Sequence, residues 1–133
     1  MKRALIRMIA AAAVFTAASA QAQVAVVMNP SAAPLTQEQV ANIFLGRLPE
    51  FKPVDLPESA AVRASFYKKA TDRDIAQVKA VWSRLVFSGK AAPPKEVADA
   101  AAVKAAVIAD PKAVGYIDKS AVDGSVKVVF SLD

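Results

Sequence analysis

Ser59 and Arg63 are the residues whose types and spacing best suit chemistry. Ser59 follows Pro57-Glu58 in a turn that feeds a helix, and Arg63 lies four residues on, one helical turn away. A helix start presents backbone N–H groups with no partner inside the helix, and its dipole adds a partial positive charge. Together these form an anion site, to which Ser59 adds a hydroxyl and Arg63 a guanidinium able to hold an oxyanion bidentately. The plainer alternative is a Ser59 that only caps its own helix and an Arg63 on the solvated face. Glu58 opposes the anion reading, because a carboxylate beside the turn repels a dianion by about 1 kcal/mol or more.

Other chemistries are excluded by composition. The 133-residue chain has no cysteine and no histidine, so it builds no disulfide, thiolate nucleophile, histidine triad or usual zinc site. A hydrolase using Ser59 or Ser88 with a lysine has no supporting spacing. Asp72 and Asp74 are explained by charge at a helix start rather than by a catalytic dyad. Lys68-Lys69 reads as a solvated face, Trp82 as core, and Gly115 as a site of close backbone packing. The expectation is a non-enzyme without metal or cofactor.

Lys2, Arg3 and Arg7 precede the apolar run Met8–Ala20, and Ala20-Gln21-Ala22 supplies an A-x-A site. This is the pattern of a cleaved secretory signal over residues 1–22, too short to span a membrane as a helix. Without a cysteine after the cleavage site the product is not a lipoprotein, and in a Gram-negative source its destination is the periplasm. Three of the 17 basic residues fall in the signal, so the mature chain barely exceeds its 12 acidic side chains in charge. It shows no basic stripe of the kind that binds nucleic acid. Residues 23–133 have the length of one domain, with no membrane span of their own.

The elements that must position the turn follow from periodicity. Val24–Met28 is a continuous apolar run suited to a strand buried on both faces. Thr36 with Gln39 forms a capping box for a helix carrying Val40, Ile43 and Phe44 and ending at Gly46. Pro53–Leu56 reads as a second strand, and Ser59 as the cap of a helix to about Ala70 with Val62, Phe66 and Ala70 inward. Thr71 with Asp74 signals a third helix through Ile75, Val78, Trp82, Leu85 and Val86 to Ser88-Gly89. Ala91–Lys95 reads as a connector, and Asp99 caps an Ala-rich helix ended by Pro111. Ala113–Ile117 and Val126–Phe130 are the last strands, joined through the Asp123-Gly124 turn. Apolar strands alternating with amphipathic helices predict an α/β domain with a sheet covered on both faces. Ligands in such sheets collect beyond the carboxyl ends of strands, here Asn29, Pro57–Ala60 and Asp118.

Several segments in order resemble a known family. They are Val26–Pro30, Leu35-Thr36, Ile43–Arg47, Val54–Ser59 with Arg63 and Phe66, Trp82, Phe87–Lys90 and Ala113–Ile117. The series resembles the small phosphate ABC transporter substrate-binding-like proteins of the type 2 periplasmic binding protein superfamily, over nearly all the mature chain. The resemblance implies a small mixed β-sheet flanked by helices, equivalent to one lobe of such a receptor. It further implies phosphate or a similar oxyanion as ligand, Asn29, Ser59, Ala60 and Arg63 as binding residues, and a membrane permease or envelope protein as partner. In larger relatives a Gly-Ser-Gly-Thr type turn at a helix start helps hold phosphate. Here Ser59 stands at the glycine position and Ala60 at the serine position of that turn. The alternative is a protein-interaction module that has kept the lobe fold and lost its ligand.

Overall fold

The computed structural model describes residues 23–132; the expected signal, residues 1–22, lies outside the described residues. Five strands form one sheet: β1 (Val24–Met28), β2 (Lys52–Asp55), β3 (Lys95–Glu96), β4 (Ala113–Asp118) and β5 (Lys127–Leu132). Four helices accompany them: α1 (Gln37–Phe44), α2 (Ala61–Thr71), α3 (Ile75–Phe87) and α4 (Ala100–Ala109). The sheet order is β3-β2-β4-β1-β5. β2 runs parallel to β3 and β4, whereas β1 is antiparallel to both of its neighbours, β4 and β5. The chain therefore enters the sheet against the direction of every other strand.

Local sequence accounts for the helix starts. Thr36 Oγ1 accepts from the Gln39 amide while the Gln39 side chain accepts from the Thr36 amide, a complete capping box. Asp74 and Gln77 make the same box for α3, so Asp74 supplies the cap and Thr71 closes the preceding helix. Asp99 Oδ1 accepts from Ala102 N at 2.9 Å to start α4. Just past α1, Gly46 has φ +74°, the left-handed conformation a side chain resists.

The sheet is covered on both faces, as its near-continuous apolar strands require. Successive β4 residues point opposite ways. Tyr116 turns towards α1 and α2, stacking on Phe66 with ring centroids 4.0 Å apart and meeting Phe44 edge-on at 5.7 Å. Gly115 turns towards α4, where an added Cβ would run into Cγ1 of Val103. Val103 is a stiff β-branched side chain and both residues are buried, so Gly115→Ala is expected to cost about 1–3 kcal/mol by overpacking. A melting temperature unchanged from wild type would contradict this packing.

Two expectations need correction. The stretch Ala91–Lys95 is not wholly a connector: Lys95 and Glu96 add a fifth, edge strand beside Val54 and Asp55. Two exposed charged residues carry no hydrophobic alternation, so nothing local marks them as strand. Ser59 is not the cap of α2. Ala60 occupies that position and offers no side-chain hydrogen bond to the first turn.

Candidate functional site

The register of β1 decides which loops can share a site. The carboxyl ends of β2, β3 and β4 lie together at one end of the sheet, with the amino end of the reversed β1. α2 begins at that end, after Leu56 and Pro57. Asn29 follows β1 and so lies at the opposite end. There its Nδ2 donates to the Ile108 carbonyl (2.9 Å), and its Oδ1 accepts from Ser31 N and Oγ. The structure thus brings Ser59, Ala60 and Arg63 together and leaves Asn29 apart from them.

At the start of α2 the exposed Ser59 has no hydrogen bond among the described residues. Ala60 N donates to the Pro57 carbonyl at 2.9 Å, which closes the turn, and Arg63 N donates to the Ala60 carbonyl at 3.0 Å. The amides left without an intrahelical acceptor are those of Ala61 and Val62, and no side chain caps them. Glu58 does not plug this turn. It pairs with Lys79 of α3, whose ammonium holds the Glu58 carboxyl below the usual carboxylate range. The pairing offsets the repulsion that Glu58 alone would direct at an anion.

Arg63 is turned inward. Its residue is 8% exposed, its Nη1 donates to the Leu56 carbonyl at 2.8 Å, and Nη2 lies 3.7 Å from Asp55 Oδ2. Nη1 also lies 3.7 Å from Glu96 on the edge strand, while Nε is buried without a partner among the described residues. The residues that the sequence expectation omitted surround this guanidinium. Asp55 is buried and accepts from Leu56 N (2.9 Å), from Tyr67 Oη (2.7 Å) and from Tyr116 Oη. Burial, then the negative charge of Asp55, pushes both tyrosine hydroxyls well above their ordinary range. The spacing Arg63, Phe66, Tyr67, Ala70 places all four on one helical stripe, which is the signal that Arg63 faces the core.

Among the described residues no group of acidic side chains could hold a metal ion, and no helix is long and apolar enough to cross a membrane. The site is therefore a short uncapped helix start backed by a buried ionic network. No protein-family model matches the chain, and no curated protein matches it. Solved structures do. An ABC-type phosphate transport receptor from Vibrio cholerae superposes with TM-score 0.63 and 25% identity, over 82% of this chain and 47% of that one. A Clostridium perfringens protein with bound phosphate, described as a phosphate ABC transporter substrate-binding protein, gives TM-score 0.64 at 19% identity. It covers 82% of this chain and 45% of that one. The fold is that of a single periplasmic-binding-protein-like lobe. The lobe spans less than half the length of these two proteins, both of which are described by transport roles rather than enzymatic ones.

Proposed function

We propose that this lobe is an exported, non-enzymatic module that binds phosphate or a related oxyanion and serves ABC-type uptake or sensing. The observation that carries the reading is the uncapped start of α2 at the carboxyl end of β2, on a fold shared with phosphate receptors. The oxyanion sits over the Ala61 and Val62 amides with Ser59 Oγ as a third donor. Ala60 shapes the turn through its bond to Pro57. Arg63 balances the Asp55 carboxylate behind the turn, and Lys79 draws Glu58 aside. Asn29 takes no part, since it stands at the far end of the sheet. Residues 1–22 direct the chain to the periplasm and are removed near Ala22. A single lobe leaves one side of the anion in water, so tight capture requires a permease or envelope protein to complete the cleft.

Ala61→Pro tests the seat. Proline is well accepted at the first helical position, where its missing N–H breaks no helix bond. The preceding Ala60 has φ −76° and ψ 116°, which a following proline favours. The variant therefore keeps the fold and loses one donor to a charged ligand, about 1.5–3 kcal/mol or roughly 10–150-fold in affinity. Titration calorimetry with phosphate and with sulfate, wild type against Ala61→Pro, reads this directly. Equal binding by both proteins removes the seat. Absence of heat in the wild type removes the function and favours the interaction module, for which the 95% exposed Phe87 is the supporting observation.

A further inference from the structure

The end of the sheet away from α2 holds a concave feature that phosphate chemistry does not use. A cleft of about 590 Å³ opens there, between the start of β2, the start of β4, the end of α4 and the Ala91–Pro93 segment. Its wall is apolar, built from Ile43, Leu48, Phe51, Val54, Trp82 and Ala106. The volume falls within the range of about 300–1,000 Å³ usual for small-molecule sites. Protein interiors otherwise close apolar gaps, because unfilled ones forfeit dispersion contacts and leave apolar surface in water.

The charges at the mouth define the occupant. Asp110 is the one acidic side chain among the described lining residues, and it is already paired with Lys52 at 2.9 Å. Lys95 also lines the cleft, is exposed, and has no ion pair among the described residues. Lys112 lies beside the mouth with its ammonium 5.9 Å from the Phe51 ring centroid. An apolar wall with unmatched positive charge at its rim suits a molecule with an apolar body and one anionic end. We infer that this cleft binds a medium-chain carboxylate, its hydrocarbon against Trp82 and Phe51 and its carboxylate at Lys95. The site lies beyond the proposed phosphate seat and does not depend on it.

Trp82 is the single tryptophan of the chain, so its emission reports occupancy of the cleft without interference. The experiment titrates the purified protein with octanoate and, separately, with octanol while following that emission. Octanoate is expected to give a saturable change at one molecule per chain, unaffected by excess phosphate. Lys95→Glu is expected to weaken octanoate about fivefold, the upper range for one exposed ion pair, and to leave octanol within about twofold. Ala106→Phe, which fills the cleft, is expected to weaken both by more than about tenfold. Lys95→Glu alters only a surface charge, so it keeps the test decisive if Ala106→Phe does not fold. No saturable response to octanoate overturns the inference, as does equal octanoate binding by wild type and Lys95→Glu. A concentration-dependent dimer that Ala106→Phe abolishes also overturns it, since a second copy would then be the occupant. Because phosphate calorimetry uses the other end of the sheet, either result can fail while the other stands.

Discussion

Between about pH 10 and pH 12 the protein is expected to lose about 5 kcal/mol of stability and to unfold before either tyrosine ionises in the native state. Tyr67 and Tyr116 are the chain's only two tyrosines, and both are fully buried with hydroxyls donating to Asp55. Burial and then the adjacent carboxylate raise both native pKa values far above the ordinary value of 10.0. A raised native pKa means that the stabilisation is complete below the unfolded value and is lost as pH climbs past it. Above about pH 10 the unfolded chain releases two protons that the folded chain retains, so stability falls about 2.7 kcal/mol per pH unit. Marginal domains hold only about 5–15 kcal/mol in total, so this slope alone reaches the unfolding limit within a few pH units. Tyrosinate absorbance near 295 nm should therefore appear together with the loss of far-ultraviolet ellipticity. A tyrosinate signal from a still-folded protein would show that the hydroxyls are not held by Asp55.

The parts of this structure that sequence reveals are those decided within a few residues. The Thr36–Gln39 box and the Asp99 cap depend on one turn of chain, and both form as their spacing implies. The apolar strands β1 and β4 are equally legible, since burial on both faces leaves no polar alternation. Strand direction is another matter. That β1 runs against its neighbours is fixed by pairing with residues about 90 and 105 positions away, such as Ala25 with Ile117 and Ser131. Nothing in Val24–Met28 encodes it, and reversing that strand is what carries Asn29 to the wrong end for an α2-centred site. Arg63 fails for a different reason. A charged residue one turn into a helix reads as solvated, yet here it continues the stripe of Phe66, Tyr67 and Ala70 because Asp55 waits beneath it. The stripe shows that Arg63 turns inward, and the carboxylate beneath it explains why a guanidinium can do so.

The dependence of Arg63 and Asp55 on each other is unequal, which leads to the second large expected effect. Asp55→Ala is expected to destabilise the protein by about 3–5 kcal/mol, because removing one member of a buried ionic group leaves the rest uncompensated. Four donors converge on this carboxylate: the Leu56 amide, two tyrosine hydroxyls and, at 3.7 Å, the Arg63 guanidinium. Leu56 N keeps a second partner in Tyr116 Oη at 3.2 Å, and Arg63 keeps the Leu56 carbonyl and Glu96, but the two buried tyrosine hydroxyls lose the acceptor they donate to. Arg63→Met is expected to cost less, about 1.5–3 kcal/mol. Asp55 then still accepts three hydrogen bonds, the lost charge-assisted bond to the Leu56 carbonyl is worth about 1.5–3 kcal/mol, and the orphaned Nε leaves with the side chain. Denaturant midpoints of the two variants at neutral pH give the comparison. Equal losses would mean that Asp55 does not dominate the network. Because Arg63 reaches the turn only through this network, Arg63→Met should weaken phosphate binding less than Ala61→Pro does. The reverse order would place the guanidinium directly on the anion.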